Sequence, residues 1–168
     1  TTCPSCNIML RKAGRKLFDS EESNWISKHV FDADEYLIRL HRAGRLNTRF
    51  NIIPLKIFYH NPCHLKVQEI TEEPLDLLRL IPGLDIVGVN DYCCGLSGSY
   101  GMKKANFTRS IGIAQKICIE MKGSGAELAI TECGGCGLRI NAGTNLKVLH
   151  PVVILCRAYG IETVLSIN

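Results

Sequence analysis

The sequence predicts an α/β fold, in which helices flank a small parallel sheet. Short apolar runs rich in β-branched and aromatic residues alternate with stretches whose apolar residues recur at helical spacing. A helical stretch between consecutive strands favours parallel pairing, because a parallel connection must cross over the sheet. Each of the first three predicted strands is followed by a loop that contains cysteine. Since parallel strands end at one edge of a sheet, we expect these cysteine loops at the carboxyl ends of the strands to lie together.

The region before the sheet is predicted to be helical. Residues 20–46 contain an apolar stripe at helical spacing, with Ser20 and Ser23 as candidate N-terminal caps. Asp32 and Asp34 are expected to interrupt this stretch and to cap a second helix.

The regular alternation of strands and helices begins at residue 52. The predicted strands are 52–59, 85–89, 127–131 and 147–149. The predicted helices are 72–80, a long one from residue 100 or 101 to about 122, 138–142, and one from Pro151 to about 159. Apolar residues of the long helix are expected to face the core: Ile111, Ile113, Ala114, Ile117, Cys118 and Met121.

Size and charge exclude several classes of protein. The chain has 168 residues, 46% of them apolar, which allows one domain with a real core, with or without an appendage. The net charge of +4 is mild, and the one basic stretch, residues 11–16, lacks aromatic neighbours, so we expect no nucleic-acid partner. No signal peptide and no transmembrane segment are expected. Abundant unpaired thiols favour a reducing cytoplasm.

Five cysteines lie in the three predicted loops and form the candidate site. They are Cys63, Cys93, Cys94, Cys133 and Cys136. An odd total of nine cysteines and a vicinal pair disfavour a structural disulfide network. Thiolates are soft ligands that suit iron–sulfur clusters, zinc or copper(I), and the glycines beside them permit close approach of the backbone to an inorganic centre. We therefore predict one shared metal site, and we expect Cys118 and Cys156, on apolar helical stretches, to belong to the core.

The order of these cysteines resembles that of the cysteine-rich CCG domain family. This domain is found in the B subunit of heterodisulfide reductase, the glycolate oxidase iron–sulfur subunit, lactate-utilisation proteins and the C subunit of the anaerobic glycerol-3-phosphate dehydrogenase. The strings YHNPCHLK, LLRLIPGLDI, CCGLSGSYGMKK and HPVVIL are most similar to those of the last type. The resemblance covers residues 32 to 158.

The resemblance implies a cofactor and partners. It implies a non-cubane [4Fe-4S] cluster bound by Cys63, Cys93, Cys94, Cys133 and Cys136, in a non-autonomous electron-transfer subunit of an oxidoreductase. The partners would be a flavin-containing dehydrogenase subunit and a membrane quinone, with the chain in the cytoplasm or peripheral to the inner face of the cell membrane. Some relatives hold zinc, so the alternative is a zinc-binding structural or interaction domain without redox activity. A fifth thiolate favours a multi-iron core, because zinc sites normally need four ligands.

A second C-x-x-C motif, formed by Cys3 and Cys6, opens the chain. In the resembling family this motif closes one repeat of a tandem pair. We therefore expect residues 1–20 to be the tail of a truncated first CCG repeat, residues 21–50 a helical linker, and residues 51–168 a complete CCG domain. Cys3 and Cys6 would then be an orphaned half-site; a site shared between chains and reactive surface thiols are the alternatives.

Several polar residues beside the cysteines could tune a cluster. His60 and His64 flank Cys63, and each could donate a hydrogen bond to sulfur, relay a proton or cap the loop. Residues 97–104, at the predicted start of the long helix, would place amide dipoles and lysine charges near the site.

Overall fold

One parallel sheet forms the centre of the fold. The computed structural model describes residues 1–162. Its strands are β1 Leu55–His60, β2 Leu84–Asn90, β3 Leu128–Ile130 and β4 Lys147–Leu149. They pair in the order β2-β1-β3-β4, and every pairing is parallel. The predicted α/β fold with a small parallel sheet is confirmed.

Helices precede the sheet and connect its strands. The first ones are α1 Pro4–Ile8, a π-helical turn Met9–Ala13, α2 Gly14–Leu17, α3 Glu21–His29 and α4 Ala33–Arg42. Those between and after the strands are α5 Cys63–Lys66, α6 Glu73–Arg79, α7 Phe107–Gly123, α8 Gly134–Thr144 and α9 Pro151–Ala158. Up to residue 162, none of the helices combines the length and the apolar character that a bilayer span requires.

The helices cover both faces of the sheet, which is therefore the middle layer of three. Along β1, Ile57 and Tyr59 pack with α4, α6 and α9, whereas Phe58 packs with α7 and α8. The residues of β3 alternate in the same way. Because both faces are buried at the two central strands, residues 57–59 of β1 and 128–130 of β3 are continuous apolar runs instead of alternating apolar and polar residues.

Two capping boxes fix the starts of α3 and α4. The side chain of Ser20 accepts a hydrogen bond from the backbone N–H of Ser23 at 3.2 Å. The carboxylate of Asp32 accepts one from the N–H of Asp34 at 3.1 Å, and the side chain of Glu35 accepts one from the N–H of Asp32. These bonds satisfy amide groups that have no partner within the helix. The predicted capping roles of Ser20 and Asp32 are confirmed.

The long helix begins later than the sequence predicted. Ser97 and Gly98 have left-handed backbone angles, with φ of 43° and 64°, and two short 3₁₀ turns follow before α7 starts at Phe107. Within the predicted helix the interruption lies at Lys103, whose backbone is extended, with φ of −71° and ψ of 135°, between the two turns. Residues 97–104 consequently form a loop with 3₁₀ turns instead of the first turns of a long helix.

The buried face of α7 is narrower than its apolar residues suggested. Ala114, Ile117 and Met121 are buried between the sheet and α8. Ile111 and Ile113, predicted to face the core, are 45% and 44% exposed. An apolar residue on a helix can lie outside the contact stripe, and the neighbouring elements decide which residues are buried.

Candidate metal centre

Each cysteine loop starts at the carboxyl end of a strand, and the number of residues from the strand end to the first cysteine is the same in all three loops. Cys63 is the third residue after β1, Cys93 the third after β2, and Cys133 the third after β3. Since these strands are parallel neighbours, the three loops lie at the same edge of the sheet. The connection after β1 runs over one face and that after β3 over the other, so the loops also flank the crevice where open parallel sheets bind ligands.

Cys136 links two of the other thiols. Its side chain is hydrogen-bonded to those of Cys133 and Cys94. The bond to Cys136 lowers the pKa of Cys133 to about 5 and the pKa of Cys94 to about 7, from an ordinary value of 9.0. The same bonds, chiefly the one to Cys133, raise the pKa of Cys136. Cys133 is therefore a thiolate at neutral pH, which is the form that binds metal.

The Cys63 loop is fastened to the loop that follows β2. Lys66, in α5, donates a hydrogen bond to the backbone carbonyl of Asp91, and its Nζ lies 3.1 Å from Asp91 Oδ2. Partial burial raises the pKa of Cys63, and so do the negative charges of three cysteines in the other loops: Cys93, Cys94 and Cys133. The thiol of Cys63 thus lies within electrostatic range of both other loops.

Backbone amides point at the sulfur atoms of the site. Cys133 is the N-terminal cap of α8, and the nearby amides of Gly135 and Cys136 help to lower the pKa of its thiol. The amide of Gly95 donates to Cys93 Sγ at 3.4 Å. Such hydrogen bonds stabilise negative charge on sulfur and raise the reduction potential of a thiolate-bound cluster.

The chemistry of this donor set fits a soft metal centre. Thiolates are the usual ligands of iron–sulfur clusters and of structural zinc. Across residues 1–162, however, no group of three or more Cys, His, Asp or Glu side chains stands at the separations that a bound metal ion imposes. Cys94, Cys133 and Cys136 are linked by hydrogen bonds between their thiol groups, and the protons in these bonds must leave when metal binds. The assignment of all five as ligands stays a prediction.

A buried acidic cluster lies directly before Cys133. The Tyr59 hydroxyl donates to both carboxylate oxygens of Glu132, at 2.9 and 3.1 Å. Glu132 is also hydrogen-bonded to Asp34, and burial together with the charge of Asp34 raises its pKa well above the ordinary value. Burial and the charge of Asp32 raise the pKa of Asp34 to about 7. A hydrogen bond between two carboxyl groups needs a proton, so the cluster holds at least one proton at neutral pH.

The raised pKa of Asp34 predicts a pH-dependent stability. The contribution of Asp34 to the free energy of unfolding is complete below about pH 4, where its carboxyl group is protonated in both the folded and the unfolded chain. This contribution is lost as the pH rises through about 7, because the unfolded chain releases the carboxyl proton at a lower pH than the folded chain does. Asp34→Asn should remove this loss, since asparagine stays neutral and can donate to Glu132. We expect the variant to be more stable than the natural chain at pH 8 by roughly 2 to 4 kcal/mol, and equally stable at pH 4.

Urea unfolding of the two proteins at pH 4 and pH 8 measures this difference. Asp85→Asn is the matched control, because Asp85 is exposed on β2 and its removal does not change a buried site. A natural chain whose stability rises between pH 4 and pH 8, with Asp34→Asn following the same curve, would contradict the buried proton.

The first residues of the chain are held at the same edge of the sheet. Three side chains that follow β1 or β4 form hydrogen bonds with residues 2–5. His150 Nε2 binds the carbonyl oxygen of Thr2 at 2.8 Å, and His64 Nδ1 binds Ser5 Oγ at 2.8 Å. Gln68 Nε2 donates to the carbonyl oxygen of Pro4 at 3.3 Å. His150 Nδ1 accepts from the N–H of Val152, so its Nε2 carries the proton and donates.

These contacts place the N-terminal C-x-x-C motif beside the five-cysteine set. Burial raises the pKa of Cys3, but hydrogen bonds from Cys6 and the Ser5 amide outweigh burial, so this pKa lies below its ordinary value. The charge of Cys3 also interacts with that of Cys133. Cys3 therefore lies within electrostatic range of the predicted site.

The histidines that flank Cys63 have partners other than sulfur. His60 Nδ1 is 2.7 Å from Asn90 Oδ1 on the neighbouring strand, and His64 binds Ser5. Among the hydrogen bonds of the described residues, neither ring reaches a cysteine sulfur. Both histidines instead join loops of the sheet edge to neighbouring segments.

Several residues of the site region escaped the sequence interpretation. Glu132 and His150 could have been found, because each follows a predicted strand just as the cysteines do. Asp34 carries no such signal, since its partner Glu132 lies on a distant element. Cys118 and Cys156, predicted to belong to the core, lie on α7 and α9 and are only partly buried.

The fold and the cysteine loops define a class of protein. Residues 57–141 match the family model of the cysteine-rich domain, CCG. This match spans β1 to α8 and includes all five cysteines of the loops. The chain belongs to the cysteine-rich CCG domain family.

Individual relatives extend the similarity beyond this domain. The chain is 32% identical to the C subunit of the anaerobic glycerol-3-phosphate dehydrogenase of Escherichia coli (strain K12), over 94% of this chain and 39% of that protein. It is 28% identical to lactate utilization protein A 2 of Bacillus cereus (strain Q1), over 94% of this chain and 68% of that protein. The chain thus spans about two fifths of the length of the first relative.

Proposed function

We propose that this chain is an electron-transfer module of an oxidoreductase and that it binds a non-cubane [4Fe-4S] cluster. The proposed ligands are Cys63, Cys93, Cys94, Cys133 and Cys136. The observation that carries the proposal is the arrangement of the three cysteine loops, which begin at equal intervals after parallel strands and bring their thiols into mutual interaction. Such a cluster supplies one-electron redox chemistry when bound.

The protein residues around the site have separate roles in this proposal. The amides of Gly95, Gly135 and Cys136 stabilise the negative charge of the sulfur atoms. The protonated acidic cluster at Glu132 keeps further negative charge away from an anionic centre. Lys66 joins the first loop to the second and thereby limits the spread of the thiols.

The redox partners in the proposal come from the relatives. Because one relative is a subunit of a glycerol-3-phosphate dehydrogenase, we assign the electron donor to a flavin-containing subunit that oxidises glycerol 3-phosphate or a similar hydroxy compound. The acceptor is a membrane quinone, which places the chain in the cytoplasm or at the inner face of the membrane. The chain itself is a non-autonomous subunit, and the substrate binds elsewhere in the complex.

The proposal also divides the chain. Residues 1–20 belong to the end of another repeat of the same kind, 21–50 form a helical linker, and 51–168 form a complete CCG domain. The support is internal similarity: Cys3 is the N-terminal cap of α1 and Cys6 its third residue, just as Cys133 and Cys136 are at α8.

Anaerobic purification followed by metal analysis tests the cofactor. We expect about four iron and about four sulfide per chain, little zinc, and an EPR signal whose form depends on redox state. Stoichiometric zinc without iron would eliminate the redox function and support the structural zinc domain instead.

A further inference from the structure

A groove lies between the helices α7 and α8. Its volume is about 550 Å³, and α7 supplies most of its apolar wall, including Ile111, Ala114 and Ile119. Ile111 and Ile119 are 45% and 63% exposed, so the groove is open to solvent. Such a volume is within the range of small-molecule sites, which is roughly 300 to 1,000 Å³.

Two cations border this apolar groove. Lys122, at the end of α7, and Arg139, on α8, both line it, and no acidic residue does so in the part of the chain that the structure describes. Lys122 makes no ion pair with any residue up to 162. The groove therefore combines an apolar surface with uncompensated positive charge.

Arg139 is held in place while part of its guanidinium lacks a partner. One terminal nitrogen donates to Ser110 Oγ at 2.7 Å, and the guanidinium lies 5.6 Å from the centre of the Phe107 ring. Its Nε is buried and has no hydrogen-bond acceptor. The charge of the guanidinium is therefore only partly compensated within the protein, and its position in the groove wall would attract an anion.

We propose that this groove binds a small amphiphilic anion, namely a carboxylate that carries a single apolar chain of on the order of ten carbon atoms. The carboxylate lies between Lys122 and Arg139, and the chain lies along the apolar wall of α7. The groove contains none of the five cysteines of the loops, and Arg139 is joined to the second cysteine loop through Ser110, which donates to the carbonyl of Gly95. The positive charge alone would also suit a simple inorganic anion, and the apolar surface alone would suit a neutral apolar molecule, so the combination selects an amphiphilic anion.

Calorimetric titration of decanoate into the anaerobically purified chain, below the micelle-forming concentration, tests the proposal. We expect saturable binding with one site per chain. Decyltrimethylammonium, which has the same chain and the opposite charge, should bind at least about tenfold more weakly, because it loses the charge-assisted bonds and meets two cations. Lys122→Gln and Arg139→Gln should each weaken decanoate binding about tenfold.

A filling variant and a matched charge variant complete the test. Ala142→Leu places a larger side chain in the groove at an exposed helical position, so it should block decanoate without unfolding the chain. Arg109→Gln removes one exposed charge from the same helix outside the groove and should leave the affinity unchanged. Equal binding of both amphiphiles, or unchanged decanoate binding by Ala142→Leu, would overturn the proposal.

Discussion

Replacing Cys94 by serine will reduce the iron content of the anaerobically purified chain from about four atoms per chain to nearly none. Cys94 is buried at the site, and its thiol is hydrogen-bonded to Cys136 while its charge acts on Cys63. Serine has almost the same size, but its hydroxyl is a poor ligand for iron and does not ionise near neutral pH. Iron and sulfide analysis, together with the visible absorption of the cluster, measures the loss.

Cys118→Ser is the control for this experiment. Cys118 lies on α7, where its sulfur packs against Gly143, and only Lys122 and Arg139 contribute charge interactions to it. The variant should retain its full iron content. Equal loss from both substitutions would show that the division into ligands and other thiols is wrong, and retention of iron by Cys94→Ser would remove Cys94 from the ligand set.

Gly95→Ala should lower the free energy of unfolding by more than about 3 kcal/mol and displace the second cysteine loop. Gly95 has a φ of 77°, and a Cβ atom there would lie 2.2 Å from the backbone oxygen of Ser110 on α7. Ser110 Oγ also donates to the carbonyl of Gly95 at 2.8 Å, so loop and helix are in direct contact. To accommodate the methyl group of alanine, the backbone of the second cysteine loop must move away from the backbone of α7 at Ser110.

Gly98→Ala separates the conformational effect from the steric one. Gly98 also has a positive φ, of 64°, but a Cβ atom there would meet no atom within 4 Å. Its substitution should cost only about 1 kcal/mol, the ordinary penalty for a left-handed alanine. Urea unfolding of both variants checks the difference, and similar losses would mean that the contact with Ser110 contributes little.

Much of the sheet edge could be predicted from the sequence because the relevant signals are local. A strand that is buried on both faces appears in the sequence as an apolar run and can therefore be predicted. The number of residues between such a run and the next cysteine can be counted along the chain. Parallel pairing then places Cys63, Cys93 and Cys133 at one edge without any knowledge of side-chain contacts. The equal intervals needed the observed strand ends, since each of the three predicted carboxyl ends differs from the observed one by one residue.

The rest depended on contacts between distant segments. Nothing near Asp34 in the sequence shows that it meets Glu132, and nothing near Thr2 shows that His150 binds its carbonyl. The exposure of Ile111 could not be predicted either, since an apolar residue on a helix is buried only if another element covers it. The later start of α7 followed from the extended backbone of Lys103, which lies between the two 3₁₀ turns and which no local signal in the sequence indicated.

The equal intervals between strands and cysteines make loop length as important as residue identity. Inserting one residue between Ile130 and Cys133 would make this spacer longer than the other two and would displace the sulfur from the position that it shares with them beyond the strand ends. A protein engineer who wishes to transplant this thiol constellation into another parallel sheet would therefore have to copy the short spacers as well as the cysteines. The recipient would also need strands that end level with one another and a glycine in the place of Gly95, where the second loop contacts a helix.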